Sequence, residues 1–245
     1  MNIIPHTINE NTKPDKFCPG CGHSIVLKTL GELILEMDLK SKTLIGLDIG
    51  CSLLAWDYFN IKSLQTHHGR TIPVMSGYKK VVPDKVGIAY VGDGGAYAIG
   101  LQSLMHAANR NDAITVIVIN NTLYGMTGGQ MAPTTLAGEK TDTTPEGRKI
   151  AEKGNSFHGP EILSRIDNKK MYLARTICTQ PKLVKMYLKK AIENQIGNKS
   201  FSLVEILSMC PTNWRKNAKE CINYLEKDVA SEFKLGEINE NINIR

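Results

Sequence analysis

Two kinds of apolar pattern alternate along the chain, and their alternation predicts a fold. Over residues 24–37 the apolar positions Ile25, Val26, Leu30, Ile34 and Leu35 recur near helical spacing, so an amphipathic helix is expected there. Residues 43–49 follow as a short, nearly unbroken apolar run, the pattern of a strand covered on both faces. Residues 86–91 and 114–119 repeat that run with aliphatic or β-branched side chains at most positions, and residues 97–109 between them read as a helix. Further strands are expected at 171–175 and 201–206, separated by a helix over 181–194, and the tail from Asn217 reads as helical and then polar. Strands separated by helices predict an α/β fold, a parallel sheet with helices on both faces.

Two stretches lack a clear period. Residues 52–82 mix aromatics with His67-His68-Gly69-Arg70 and a Ser76-Gly77 pair, and are expected as loops plus a short helix. Residues 120–160 are rich in Gly, Thr and Pro, and a loop of that length inside a compact domain is usually functional. With no internal repeat, the 245 residues are expected to form a single domain over 1–245, with an N-terminal cysteine loop and a short C-terminal helical tail.

Charge narrows the function classes. Thirty Lys+Arg against twenty-four Asp+Glu leave a net charge of +6, and no basic stripe interleaved with aromatics is present, so nucleic acid is not an expected partner. An acidic protein partner suits the charge. The N-terminal MNIIPHTINENTKPDKF lacks the cationic start and apolar middle of an export signal, and no run of eighteen apolar residues occurs, so a cytoplasmic protein without membrane contact is expected. In that reducing compartment the six cysteines are expected to be metal ligands or core thiols rather than disulfides.

Candidate chemistry sits at predicted strand ends. Gly92-Asp93-Gly94-Gly95 directly follows a strand and precedes a helix, where backbone N–H groups and a helix N-terminus cradle phosphate. Asp93 adds a hard oxygen ligand, and the next strand ends in Asn120-Asn121, on the carboxyl edge where parallel sheets bind ligands. A carboxylate, an amide oxygen and a loop carbonyl suit Mg²⁺; an ordinary strand-to-helix turn with a capping Asp is the bland alternative. Cys18 and Cys21 form a CxxC pair, while Cys51 and Cys210 each stand at a strand end. Four sulfurs at one sheet edge suit a single metal centre, and spacing alone does not separate zinc from iron-sulfur. Cys178 and Cys221 lack such placement and are expected as core thiols.

The pairing of Asp93 with Asn121 resembles the thiamine-diphosphate signature, by which Asp93 and Asn121 would bind Mg²⁺ through side-chain oxygens and Leu123 through its carbonyl. Thiamine chemistry on a 2-oxoacid leaves electrons that need an acceptor, a role a low-potential cluster fills and zinc does not. CPGCGH at 18–23, IGCS at 49–52, HGR at 68–70, GDGG at 92–95, NNTLYGMTGGQMAPTT at 120–135 and CPTNW at 210–214 together resemble the beta subunits of the 2-oxoacid:ferredoxin oxidoreductases over most of the chain. That resemblance implies that Cys18, Cys21, Cys51 and Cys210 hold one 4Fe-4S cluster. It places Gly50, Ser52, Gly92, Gly94, Gly95, Tyr124 and Gly125 at the cofactor, His68 facing the reacting thiazolium, and Arg70 framing the pocket.

The implied activity is oxidative decarboxylation of a 2-oxoacid to acyl-CoA and CO₂, with coenzyme A as acyl acceptor and electrons passed to ferredoxin. A companion alpha subunit would carry the glutamate that activates the aminopyrimidine, so this chain alone is expected to be inactive; gamma and delta subunits are further candidate partners. Two departures stand out. Many relatives have Asp where this chain has Gly95, and some have Lys where it has Gly128. Lacking that cation, the chain is expected to favour a branched-chain substrate, 3-methyl-2-oxobutanoate, ahead of 2-oxoglutarate or pyruvate. The rival readings are a non-redox thiamine-diphosphate decarboxylase or carboligase subunit with structural zinc, and a zinc-stabilised nucleic-acid-binding protein.

Overall fold

The computed structural model describes residues 7–12 and 15–238. Among the described residues nine strands follow one another as β1 (Thr43–Leu47), β2 (Lys62–Gln65), β3 (Val86–Gly92), β4 (Thr115–Asn120), β5 (Leu123–Tyr124), β6 (Gln130–Met131), β7 (Tyr172–Ile177), β8 (Ser202–Leu207) and β9 (Gly236–Glu237). The helices include α1 (Gly22–Glu36), α2 (Thr71–Val81), α3 (Leu101–Asn109), α4 (Ile150–Lys153), α5 (Gly159–Leu163), α6 (Pro181–Gly197), α7 (Pro211–Trp214) and α8 (Ala218–Tyr224). Seven strands form one sheet in the order β2-β1-β3-β4-β8-β7-β9, and β5 and β6 form a separate antiparallel hairpin. Every pairing in the large sheet is parallel except that of β7 with β9.

The unbroken apolar runs have a direct cause. In β3, Ile88 and Tyr90 pack with Leu27 and Leu30 of α1 and Leu188 and Ile192 of α6. Ala89 and Val91 point the other way, onto Ile72 and Met75 of α2 and Leu104 and Ala107 of α3. Helices therefore cover both faces, as expected, and each large aliphatic side chain so buried contributes about 1.5–3 kcal/mol.

The departures lie where side-chain pattern carries little information. β2 is exposed at all four positions, so its pairing with β1 rests on backbone hydrogen bonds and leaves no apolar alternation to read. The rest of the aperiodic stretch holds an eleven-residue helix, α2. The helix expected from residue 97 is preceded by a wide π turn, Gly95–Ile99, and becomes α-helical at Leu101. The polar tail adds β9 to the sheet edge, Ala174 opposite Glu237. No helix among the described residues is long and apolar enough to cross a membrane.

Topology positions the site. From β1 the chain moves outward to β2, then returns past β1 to β3, so the winding direction reverses between β1 and β3. A crevice opens at the carboxyl ends of strands on either side of such a reversal. The segments leaving β1, β3, β4 and β8 at that edge carry Cys51, Asp93, Asn121 and Cys210.

Candidate functional site

A cavity of about 200 Å³ opens at this edge. Gly50, Ser52, His68, Gly92, Asp93, Gly94, Gly95, Asn121, Leu123, Tyr124 and Gly125 all line it. Arg70 does not: it is exposed at the residue preceding α2, where its backbone starts the helix. The expectation that Arg70 frames the pocket has no counterpart in the cavity wall.

Asp93 is buried, 3% exposed, at the end of β3. Its Oδ1 accepts the Gly94 N–H at 2.9 Å and its Oδ2 accepts the Thr134 hydroxyl. Burial outweighs those bonds and pushes the carboxyl up to about 7. A divalent cation would offset that cost directly. Across the turn, the ring of Tyr124 fills the space that a side chain on Gly94 would need.

Asn121 sits beside a strained reversal. Thr122 adopts φ +64, a conformation that costs a β-branched residue on the order of 1–3 kcal/mol. Several bonds hold it there: its N–H donates to Asn120 Oδ1 at 3.1 Å, its hydroxyl to Glu139 Oε1 at 2.6 Å, and its carbonyl accepts the Thr135 hydroxyl. The Trp214 indole N–H donates to the Asn121 carbonyl at 3.1 Å, tying α7 to the same loop. The Leu123 N–H approaches Asn121 Oδ1 at 3.5 Å.

Asp48 falls within an expected strand, 43–49, yet it organises one wall. It is 1% exposed; Oδ1 accepts the Gly69 N–H at 2.8 Å and the Thr71 hydroxyl at 3.2 Å, which anchors the loop carrying His68. Its Oδ2 has no hydrogen-bond partner and fills the position where a side chain on Gly95 would begin. Glycine at 95, the departure seen in the sequence, thus has a steric cause. His23 lines the cavity itself and has no role in the sequence reading, although it closes the CPGCGH motif. Its Nδ1 lies 2.7 Å from the Tyr90 hydroxyl, its ring stacks on Phe17, and burial lowers its pKa to about 3, so it is neutral.

The four expected cysteine ligands gather beside the cavity. Cys21 N–H donates to the Cys18 carbonyl at 2.9 Å, closing the CxxC turn through Gly20 at φ +80. A β-carbon on Gly20 would stand 3.4 Å from Pro211, and the Gly22 N–H donates to the Met209 carbonyl at 3.3 Å, so this loop lies against the chain around Cys210. A β-carbon on Gly125 would stand 3.2 Å from Cys51 Sγ and 3.6 Å from Cys210 Sγ. Burial, reinforced by the neighbouring sulfurs, pushes Cys51 up to about 12 and raises Cys21 as well. Among the described residues, no three His, Cys, Asp or Glu side chains converge closely enough for a single ion. Cys178 and Cys221 are fully buried.

Below the edge lies a charged network that the strand patterns concealed. Arg175 of β7 pairs with Glu205 of β8 through Nε and with Glu161 of α5 through Nη2 at 2.7 Å, and all three are buried. Glu205 Oε1 accepts the Asn120 side-chain N–H at 3.1 Å, which links the network to the reversal at Thr122.

Residues 48–206 match the family model described as thiamine pyrophosphate enzyme, C-terminal TPP binding domain. The chain is 38% identical over 220 residues to the ketoisovalerate oxidoreductase subunit VorA of Methanothermobacter thermautotrophicus, covering 89% of this chain but only 46% of that protein. It is 34% identical over 215 residues to the 2-oxoglutarate synthase subunit KorB of Archaeoglobus fulgidus, covering 88% of this chain and 77% of that subunit. Among solved structures it superposes, at 24% identity and a TM-score of 0.80, on the 2-oxoglutarate:ferredoxin oxidoreductase from Magnetococcus marinus with 2-oxoglutarate, coenzyme A and succinyl-CoA bound; 99% of this chain and 87% of that one are covered, which supports the fold. With most of its length matched at these identities, the chain belongs to the thiamine-pyrophosphate-binding beta-subunit family of the 2-oxoacid:ferredoxin oxidoreductases.

Proposed function

We propose that this chain is the cofactor-binding beta subunit of a cytoplasmic, ferredoxin-dependent 2-oxoacid oxidoreductase that converts a 2-oxoacid and coenzyme A to acyl-CoA and CO₂. The observation that carries this is the position of Cys51, which lines the cavity beside Asp93 and whose sulfur, like that of Cys210, stands against Gly125. The two sites share a wall.

Asp93, Asn121 and the Leu123 carbonyl would hold Mg²⁺, and through it the diphosphate of thiamine diphosphate, over the glycine turn. The raised pKa of buried Asp93 fits a carboxylate that awaits a cation. Cys18, Cys21, Cys51 and Cys210 would hold a 4Fe-4S cluster, which gives thiamine chemistry the one-electron acceptor that the structural zinc of the non-redox alternative does not. When bound, thiamine diphosphate supplies the carbanion chemistry of decarboxylation and the cluster supplies one-electron acceptance. The chain's own task is orientation: Asp48 fixes the loop of His68, and Tyr124 packs on the glycine turn.

A cavity of about 200 Å³ is smaller than the roughly 300 Å³ or more of a site that encloses a cofactor-sized ligand, which fits a site completed by an alpha subunit. Gly128 leaves the cofactor loop without a cation, and the similarity to a ketoisovalerate oxidoreductase subunit points the same way, to 3-methyl-2-oxobutanoate ahead of 2-oxoglutarate or pyruvate. The test is anaerobic co-expression with the neighbouring subunits, followed by iron and sulfide analysis and coenzyme-A-dependent ferredoxin reduction with each 2-oxoacid. A brown complex that reduces ferredoxin fastest with the branched-chain substrate is expected. A colourless, zinc-loaded complex without ferredoxin reduction would reject the redox assignment.

A further inference from the structure

The side chain of Asn213 reaches both sites at once. Its Nδ2 donates to the Gly125 carbonyl at 2.8 Å and to Cys210 Sγ at 3.5 Å. The first bond settles the orientation of the amide, because a carbonyl acceptor admits only the NH₂ end, whose second hydrogen then faces the sulfur. Two further contacts hold Asn213 in place. A β-carbon on Gly129 would stand 3.0 Å from that of Asn213, so the loop of β5 and β6 closes over it without room to spare. On the other side α7 is pinned by the Trp214 indole to the Asn121 carbonyl.

An N–H directed at a ligand sulfur stabilises the more negative charge state of a cluster, because the added electron is spread partly onto the sulfurs. We propose that Asn213 sets the reduction potential of the centre held by Cys18, Cys21, Cys51 and Cys210, raising it through its N–H···S bond to Cys210. Its second bond, to Gly125 in the cofactor loop, makes it the positioning residue between the two sites. The inference rests on the cluster reading given under the proposed function.

Anaerobic redox titration of the complete complex, followed by electron paramagnetic resonance, tests it. Asn213→Leu keeps the volume and removes the donor. A potential more negative by about 59 mV, a tenfold change in a one-electron equilibrium, is expected at unchanged iron content. A fully loaded Asn213→Leu complex with the wild-type potential overturns the proposal. Because the Asn213 backbone N–H also bonds Cys210, the label goes on the side-chain amide alone: should that variant fail to assemble, the wild-type complex carrying asparagine ¹⁵N-labelled at Nδ2 decides, since pulsed resonance of the reduced cluster is expected to show a coupled ¹⁵N and its absence overturns the proposal. A wild-type complex lacking iron and sulfide defeats the cluster reading itself, and this inference with it, which is distinguishable from an unshifted potential.

Discussion

The unpartnered Oδ2 of Asp48 occupies the space into which any side chain on Gly95 would project. Gly95→Asp must therefore displace Asp48, with its bonds to Gly69 and Thr71 and the His68 loop they hold. Overpacking of this kind costs about 1–3 kcal/mol, read as a lower melting temperature, and cofactor affinity should fall with it. The double variant Asp48→Ala/Gly95→Asp should recover much of the loss, giving a large coupling in a double-mutant cycle. Additive effects of the two substitutions would rule out the steric account.

Asp93→Asn keeps the shape of the turn and removes the charge. Calorimetric titration of the assembled complex with thiamine diphosphate should show affinity falling roughly hundredfold or more, the upper end of what altered metal surroundings cost. In wild type, binding should require Mg²⁺; in the variant, adding Mg²⁺ should change little. Equal Mg²⁺ dependence in both would move the ion elsewhere.

Arg175→Met leaves Glu205 and Glu161 buried without their cation, a change that typically costs about 3–5 kcal/mol. Urea denaturation reads this directly. Replacing both carboxylates by Gln in the same background should restore a large part of the stability, because no unpaired charge remains. If Arg175→Met is neutral, the triad does not support the Asn120 end of the loop that follows β4.

Glu139 gives a pH dependence of defined sign. It accepts the Thr122 hydroxyl and the Leu136 N–H at 2.8 Å, and burial, outweighing those bonds, pushes its carboxyl from 4.5 up to about 7. Between these values the folded chain keeps a proton that the unfolded chain has released. The stability it contributes is therefore full below pH 4.5 and lost as pH rises towards 7, an effect on the order of 1–3 kcal/mol. Asp93 acts in the same direction when no divalent cation is present. Melting temperatures from pH 4 to pH 8 without metal should fall across that window, and Glu139→Gln should make the fall shallower. A slope unaffected by the substitution would exclude Glu139 as its source.

Much of the architecture was legible because burial on both faces leaves a mark in one dimension. β3, β4 and β8 are mostly apolar since helices cover each side, and Gly92–Gly95 and Asn121 stand out in the sequence because phosphate and cation sites draw on small turns and hard oxygens at strand ends; the structure brings them to one cavity. β2 left no such mark, being held by backbone bonds with its side chains exposed, and it passed as loop. Arg70, adjacent in sequence to His68, was expected beside it in the pocket; the helix that begins at Thr71 carries it out to solvent instead.

By itself, then, the sequence determined the five strands β1, β3, β4, β7 and β8, that they run parallel between helices, and which residue types capable of binding phosphate, cation and metal sit at their ends. It did not determine distances across the sheet edge. Those depend on the strand order β2-β1-β3-β4-β8-β7-β9, which brings Asp48 against Gly95, Cys51 and Cys210 to either side of Gly125, and Asn213 between a sulfur and the Gly125 carbonyl. Residues far apart in the chain become neighbours there because adjacent strands lie only about 4.8 Å apart, a proximity that local periodicity does not encode.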